Sequence, residues 1–287
     1  MTGPQSTQAM SLQDFLAIRE FIYGRTGIFF NESKQYFLEN RLSRRLQELK
    51  LGAYRDYLGL LQGLQGQEEL KQLFNEITTN ETSFWRNPPQ IEAFQRIVLP
   101  EAVALARARG ANRLRLWSAA CSSGEEPFTL AMICLEARDT ALRGLAVEIL
   151  ATDISEKVLA QAREGVYGSY TLRNLNPAQV KQHFIAQAQD SFLVKPELKQ
   201  MITFRSFNLV DYGSYRTLGS FDVIFCRNVL IYFDDAVKTK VIKGFHDVLQ
   251  PRSFLLVGHS ESIHAFNVGF DLMHFSKAMG YRKRDQA

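Results

Sequence analysis

The stretch that most constrains the fold runs from Arg113 to Pro127 and reads RLRLWSAACSSGEEP. It begins with the alternating pattern of a strand, continues as a run of small residues from Ala119 to Gly124, and leads into an apolar helix. A strand, a tight turn and a helix N-terminus form the first unit of a nucleotide-binding α/β fold. Because small side chains let a ligand approach the backbone closely, the pattern predicts a ligand-binding turn.

Two carboxylates, Glu125 and Glu126, follow this turn and distinguish it from a phosphate-binding loop. A pyrophosphate site leaves the helix N-terminus open to anions, whereas two glutamates there repel phosphate and attract a cation. The ligand is therefore expected to carry an amine or a sulfonium rather than a diphosphate. The spacing does not show which of the two glutamates meets the cation.

The composition is that of an ordinary globular protein. The 287 residues are 46% hydrophobic and 22% charged, which is enough for a sizeable core. No apolar run approaches the roughly 20 residues of a membrane span. The first ten residues have neither a charged start nor an apolar core, so no secretory signal is expected. Three scattered cysteines without metal-ligand spacing predict a reducing cytoplasm and no metal site. The net charge of +4 is too small by itself to indicate nucleic acid.

Residues 1–78 predict a small domain of four helices with almost no strand signal. The second helix carries three arginines, Arg41, Arg44 and Arg45, on the side away from its leucines. Such a face is either a solvated polar surface or a docking surface for an acidic partner. Aromatic residues that would stack on bases are not interleaved with these arginines, which disfavours a nucleic-acid partner.

The segment 79–92 contains polar groups, two aromatics and an arginine before a double proline, and it predicts a linker. Such a linker either only joins the two domains or also contributes to the active site. Residues 93–287 alternate strands with helices and end in a hairpin, as in an α/β sheet with an antiparallel edge. A small antiparallel insertion is predicted at about 185–205.

The ligand of such a sheet lies beyond the carboxyl ends of its strands. Asp153 ends the second strand, where an acid either binds ribose hydroxyls or caps the next helix. The strand-end residues expected to converge are Ala119–Glu126, Asp153, Asn208 and Cys226–Tyr232.

Six motifs follow the helical domain along the chain, in this order: NETSFWR, WSAACSSGEEPFTLA, ATDIS, FNL, FDVIFCRNVLIYF and GHSES. With them the sequence resembles the CheR-type chemotaxis methyltransferases from Leu12 to Tyr281. The resemblance implies a Rossmann-like class I methyltransferase sheet with a small N-terminal all-helical domain and a small antiparallel β-subdomain insertion.

The resemblance also implies a function. It implies that S-adenosylmethionine is the cofactor, with S-adenosylhomocysteine as product, and that the acceptors are glutamate side chains in the cytoplasmic helical region of methyl-accepting chemotaxis receptors. A cytoplasmic monomer without membrane insertion or a nucleic-acid partner is expected. In some members the β-subdomain docks a receptor's C-terminal peptide; here its first loop, Ala186–Ser191, is short and lacks glycine.

The site residues implied by the resemblance fall into three groups. The cofactor-contacting positions are Asn80, Thr82, Arg86, Glu126, Asp153, Asn208, Leu209, Cys226 and Arg227. Arg86 and Tyr232 occupy positions beside the transferred methyl and are the expected catalytic residues. Arg41, Arg44 and Arg45 match the surface that meets the receptor.

Other functions remain open from the residues. One is a binding module that senses S-adenosylmethionine and docks to receptors without turnover; another is a methyltransferase acting on RNA or a small molecule. The GHSES motif partly matches the hydrolase pattern G-x-S-x-G, but Ser262 replaces the second glycine and no strong Asp and His candidates follow in the required order.

Overall fold

The computed structural model describes residues 9–64 and 66–285. They divide into two compact units. The first comprises the chain up to Thr79 together with Tyr232–Asp234, and the second comprises the rest of the chain from Asn80 onward. The predicted linker thus belongs to the second unit from Asn80, and the first eight residues of the predicted helical domain lie outside the described residues.

In the described residues the first unit contains four α-helices, as the apolar periodicity predicts. They are α1 (Leu12–Thr26), α2 (Gln35–Glu48), α3 (Tyr54–Gln62) and α4 (Gly66–Ile77). Ser11 caps α1 by accepting a hydrogen bond from the backbone N–H of Asp14. The helices bury a shared core that includes Phe15, Leu42 and Leu73.

The second unit contains ten strands in its described part. In chain order they are β1 (Arg113–Ala119), β2 (Ala146–Asp153), β3 (Val166–Gly168), β4 (Phe184–Gln187), β5 (Ser191–Val194), β6 (Ile202–Ser206), β7 (Phe221–Cys226), β8 (Leu249–Val257), β9 (Phe270–Phe275) and β10 (Ala278–Lys283). Seven form one sheet in the order β6-β2-β1-β7-β8-β10-β9. The first five run parallel and β10–β9 is the antiparallel hairpin at the edge, which confirms the predicted α/β class.

Helices cover both faces of this sheet. They are α5 (Pro88–Ala93), α6 (Leu99–Ala108), α7 (Glu125–Glu136), α8 (Glu156–Glu164), α9 (Pro177–His183), α10 (Pro196–Lys199) and α11 (Asp235–Val248). On one face Leu116 joins a core with Ala102 of α6 and Phe128 of α7. On the other face Trp117 is fully buried against the ring of Phe245 from α11. This burial on both faces explains the nearly continuous apolar runs of the central strands.

The small antiparallel sheet differs from the prediction in its boundaries. It has the order β3-β5-β4 and so begins at Val166, well before residue 185. The predicted excursion over about 185–205 is wrong at its end, because Ile202–Ser206 forms β6 and pairs in parallel with β2 of the main sheet. A short apolar run does not reveal whether its partner is a local hairpin or a distant strand.

No helix in the part of the chain that the structure describes combines the length and apolar character that a membrane span requires.

Candidate active site at the carboxyl edge of the sheet

Three neighbouring parallel strands bring the predicted site segments to one edge. Ala119 at the end of β1 lies opposite Thr152 of β2 and Cys226 of β7. The segments that follow these strands therefore leave the sheet side by side.

The turn after β1 has an unusual backbone. Ala120, Ser122 and Gly124 have φ angles of 60°, 50° and 98°, all in the left-handed region. At Gly124 a Cβ would lie 2.8 Å from the Cβ of Ala162 and 2.9 Å from the hydroxyl of Tyr167. Only glycine meets both demands without strain. Strained backbone of this kind clusters at ligand-binding turns, where the surrounding structure holds it in place.

Asp153 fastens this turn to the end of β2. Its Oδ2 accepts a hydrogen bond from the backbone N–H of Ser122 at 2.9 Å, and its Oδ1 accepts one from the backbone N–H of Ser155 at 3.0 Å. Burial raises the pKa of the Asp153 carboxyl, and these backbone donors oppose the shift. The carboxylate is therefore preorganised at the strand end, as its sequence position predicts.

The two glutamates that open α7 have different surroundings. Glu125 is almost fully buried, and its Oε2 accepts a hydrogen bond from the hydroxyl of Ser123 at 2.7 Å. Burial raises the pKa of Glu125. Glu126 is less enclosed: its Oε1 accepts from the hydroxyl of Ser118 at 2.6 Å, and its Oε2 lies 3.0 Å from Nη1 of Arg227. Glu126 is therefore the glutamate that connects to the end of β7.

Arg227 joins three segments of the site. Its side chain is 3% exposed, with Nη1 paired to Glu126 and Nη2 donating to the backbone carbonyl of Arg86 at 2.6 Å. Its Nε is buried without a hydrogen-bond partner among the described residues. A buried guanidinium needs its donors satisfied, so this nitrogen is an unmet donor at the centre of the site.

The segment that carries Arg86 is strained on both sides of it. Trp85 and Asn87 have φ angles of 54° and 60°, an uncommon region for a bulky residue such as tryptophan. The backbone N–H of Trp85 donates to Oγ1 of Thr129 at 3.2 Å. Nη1 of Arg86 donates to the carbonyl of Glu81 at 2.6 Å, and the residue is half-buried. The surrounding contacts therefore hold Arg86 in a defined place.

Asn80 and Thr82 lie at the start of the same segment, and Asn80 contacts the turn although it is far from it in sequence. The carbonyl of Asn80 accepts a hydrogen bond from the hydroxyl of Ser122 at 3.2 Å. Thr82 is half-buried. This segment therefore meets the β1 turn directly.

The remaining predicted cofactor positions lie after β6 and at the end of β7. The chain entering Asn208 is bound to the β2 end, since the backbone N–H of Phe207 donates to the carbonyl of Asp153 at 3.0 Å. Leu209 is buried, and its carbonyl accepts from the hydroxyl of Tyr215. Cys226 is fully buried, and burial raises the pKa of its thiol well above the ordinary value. This cysteine is therefore a neutral packing group rather than a nucleophile.

Tyr232 lies in the first compact unit, unlike the other predicted residues of the edge. Its carbonyl accepts a hydrogen bond from the backbone N–H of Phe29, and the following Phe233 forms a bridge with Ile28. Tyr23 donates to Oδ2 of Asp234 at 2.6 Å. Within the first unit these contacts hold the segment by its backbone.

The three arginines of α2 do not share one environment. Arg44 is 82% exposed and pairs with Glu48. Arg41 is half-buried, with its guanidinium 5.0 Å from the ring centre of Phe37. Arg45 is 22% exposed and forms two hydrogen bonds with the buried Glu69, at 2.5 and 2.7 Å. Arg45 therefore has a structural role inside the first unit, and its part in receptor contact stays a prediction.

Two side chains that hold the site were not predicted. Ser118 binds Glu126, and Thr129 binds the strained backbone at Trp85. The only signal for Thr129 is a single hydroxyl in the otherwise apolar helix α7. Within residues 9–64 and 66–285, no group of three or more His, Cys, Asp or Glu side chains is placed to hold a metal ion.

Comparison with known proteins identifies the family. Residues 80–279 match the family described as "CheR methyltransferase, SAM binding domain", and residues 13–78 match "CheR methyltransferase, all-alpha domain". Chemotaxis protein methyltransferase 2 of Vibrio cholerae is 36% identical over 270 residues, which cover 94% of this chain and 92% of that protein. Chemotaxis protein methyltransferase 1 of Pseudomonas aeruginosa is 35% identical over 94% of this chain and 98% of its own. The chemotaxis protein methyltransferase of Escherichia coli is 36% identical over 90% of this chain and 88% of its own. With its strand-end site and these matches over nearly its whole length, the chain belongs to the CheR methyltransferase family and uses S-adenosylmethionine as its cofactor.

Proposed function

We propose that this methyltransferase acts in chemotaxis and transfers the methyl group of S-adenosylmethionine to glutamate side chains in the cytoplasmic helical region of methyl-accepting chemotaxis receptors. The products are glutamate methyl esters and S-adenosylhomocysteine. The names of the relatives support a role in chemotaxis.

The observation that carries the choice of acceptor is the placement of Arg86. Among the described residues its side chain makes one hydrogen bond, to the carbonyl of Glu81, although a guanidinium has five donors. Its backbone carbonyl is held by Arg227, which pairs with Glu126. A half-buried cation held at the carboxyl edge of the sheet suits an acceptor that carries a carboxylate.

The side chains at the edge fit the charges of the cofactor. Glu126 is a carboxylate for the ammonium of the methionine moiety, and Asp153 is a carboxylate for the ribose hydroxyls. The partnerless Nε of Arg227 is a buried donor that the cofactor's own carboxylate would satisfy. When bound, S-adenosylmethionine supplies a methyl group activated by a positively charged sulfur.

The chain's own residues then need to align and desolvate rather than exchange protons. A glutamate side chain is already ionised at neutral pH, so attack by its oxygen needs no general base. Arg86 orients the incoming carboxylate, and Tyr232 is kept as the second predicted catalytic residue. Correct alignment of this kind supplies up to roughly 7–11 kcal/mol of the barrier. The fully buried Cys226, whose pKa is raised, takes no part as a nucleophile.

The receptor contact is proposed for the exposed part of α2. Arg44 projects into solvent, and Arg41 is partly accessible. Both suit an acidic helical surface. Arg45 is left out of this contact because Glu69 holds it.

Incubation with labelled S-adenosylmethionine and receptor cytoplasmic fragments tests the proposal. We expect label on the receptor that mild base releases as methanol, the behaviour of a methyl ester. Base-stable label would contradict a glutamate acceptor. Calorimetric binding of S-adenosylhomocysteine together with no transfer to any receptor fragment would favour a non-catalytic sensing module instead.

A further inference from the structure

The turn that follows β8 contains a buried carboxylate that none of the site contacts above uses. Residues 258–261 form a tight turn closed by a hydrogen bond from the backbone N–H of Glu261 to the carbonyl of Gly258, at 2.9 Å. Glu261 is 5% exposed. The next residues are fixed from β10, where the hydroxyl of Tyr281 accepts a hydrogen bond from the backbone N–H of Ile263 at 3.1 Å. The turn is therefore a rigid support for the carboxylate.

The carboxylate of Glu261 reaches across to the segment after β7. Its Oε2 accepts hydrogen bonds from the backbone N–H groups of Gly258 at 2.7 Å and Asn228 at 2.8 Å, and its Oε1 accepts one from that of Ile231 at 3.2 Å. Asn228 has a φ of 60°, so its backbone is in the left-handed region. One side chain thus satisfies three backbone donors and holds a strained loop at both of its ends.

This loop lies between two residues of the proposed mechanism. It begins directly after Arg227, which binds Glu126 and the carbonyl of Arg86, and it ends directly before Tyr232. We propose that Glu261 is a positioning residue for methyl transfer, which sets the path of residues 228–231 and thereby the placement of Arg227. Glu261 touches neither reactant in this role. The assignment rests on the proposed function in one respect: its test uses a receptor fragment as the methyl acceptor.

Carboxylate chemistry is required at this position. An ionised carboxylate only accepts hydrogen bonds, which matches three N–H groups, and charged acceptors bind backbone donors more strongly than neutral ones. Glutamine has nearly the same shape but replaces one oxygen by an NH₂ that would face N–H groups. The Glu261→Gln variant therefore disturbs the loop with little change in volume.

A second variant disturbs the same contact from the other side. At Gly258 a Cβ would lie 2.5 Å from Oε2 of Glu261 and 3.0 Å from the backbone nitrogen of Asn228. Gly258→Ala therefore displaces the carboxylate while leaving it in the chain. Ser260→Ala is the matched control, because its side chain is exposed within the same turn.

The experiment measures kcat at saturating cofactor, the KM for a receptor fragment and the Kd for S-adenosylhomocysteine in the full chain, with thermal unfolding to confirm folding. For Glu261→Gln and Gly258→Ala we expect kcat to fall at least tenfold while the Kd rises by a smaller factor, because Arg227 also meets Glu126 in the cofactor site. Ser260→Ala should match the unchanged chain. The kcat of the double variant should be no more than twofold below that of the less active single variant, because both changes act through one carboxylate.

Three results would overturn the inference: a folded Glu261→Gln variant with kcat within twofold of the control, a loss of cofactor affinity as large as the loss of kcat, or multiplied effects in the double variant. The second result would assign Glu261 a merely structural part in the cofactor lobe. If the unchanged chain methylates no receptor fragment, the proposed acceptor fails. The cofactor Kd values then still test the inference, because a tenfold or larger rise would assign Glu261 a merely structural part in the cofactor site.

Discussion

Nη1 of Arg227 lies 3.0 Å from Oε2 of Glu126, in a pair whose side chains are 3% and 13% exposed. This ion pair joins the end of β7 to the start of α7. The other end of the same guanidinium holds the carbonyl of Arg86. The residue proposed to bind the cofactor's ammonium and the residue proposed to orient the acceptor therefore share one buried arginine, which couples the two halves of the reaction.

Replacement of Arg227 tests this coupling. Arg227→Lys keeps the charge but loses the planar fork that reaches Glu126 and the Arg86 carbonyl together. We expect kcat/KM for the receptor fragment to fall at least roughly 30-fold, which is about 2 kcal/mol of transition-state stabilisation. Arg138→Ala is the control and should leave kcat/KM unchanged, because the side chain of Arg138 is 66% exposed. A kcat/KM of Arg227→Lys within threefold of that of the unchanged chain would contradict the coupling.

Replacement of Gly124 tests whether the turn after β1 requires glycine. Gly124→Ala adds a methyl group 2.8 Å from Ala162 at a φ of 98°, and we expect it to cost roughly 2–4 kcal/mol of unfolding free energy from strain and overpacking together. Gly110→Ala is matched to it, because Gly110 also has a positive φ but open space around it, and should cost only about 1–2 kcal/mol. Urea unfolding measures both. Equal losses would show that the contact with Ala162 is irrelevant.

The pKa of Glu125 predicts a pH dependence of stability. Burial raises the pKa of this carboxyl above its ordinary value of 4.5, so the folded state favours the protonated form. Its favourable contribution is complete below about pH 4.5 and is lost as the pH rises through the raised pKa. Relative to Glu125→Gln, the unchanged chain should therefore become progressively less stable as the pH rises from about 4.5 to 7.

Urea unfolding of both proteins across that range measures the effect. Glu164→Gln, at an exposed position, serves as the control and should track the unchanged chain. A constant difference between the Glu125→Gln variant and the unchanged chain at every pH would contradict the assignment.

The arginines of α2 are expected to separate stability from receptor contact. Arg45→Ala removes the main partner of the buried Glu69, and we expect a loss of about 1–3 kcal/mol of unfolding free energy. Arg44→Ala should change stability by less than about 0.5 kcal/mol, because the side chain is 82% exposed. It should instead raise the KM for the receptor fragment. Unfolding curves and steady-state kinetics on both variants check this, and the reverse pattern would place the contact elsewhere.

The sequence predicts the parts of this molecule that depend on local pattern. Strand–turn–helix succession and strand-end acids suffice to place Asp153 at the carboxyl edge beside the β1 turn. Pairing over distance is not encoded in a local pattern. The assignment of 202–205 to a local sheet failed because the partner is β2, about 50 residues earlier in the chain. The pairing of Arg45 with Glu69 was not predicted because Glu69 lies in another helix.

The two glutamates of α7 illustrate the same limit within one motif. Glu125 and Glu126 are the same residue type at adjacent positions, so the motif alone does not distinguish them. Only the fold reveals that Glu125 is enclosed with Ser123 while Glu126 reaches Arg227. The sequence contains no signal for the role of Glu261 within the GHSES motif. Its three backbone donors come from separate loops, and such contacts do not affect composition or periodicity.

The most direct test of the central claim is tandem mass spectrometry of a receptor cytoplasmic fragment after incubation with the full chain and S-adenosylmethionine. We expect a gain of one methyl group, about 14 Da, on specific glutamate side chains, lost after mild base and absent when those glutamates are replaced by alanine. Methylation confined to lysine, arginine or the fragment's termini, or a fragment of unchanged mass beside a chain that binds S-adenosylhomocysteine, would contradict it.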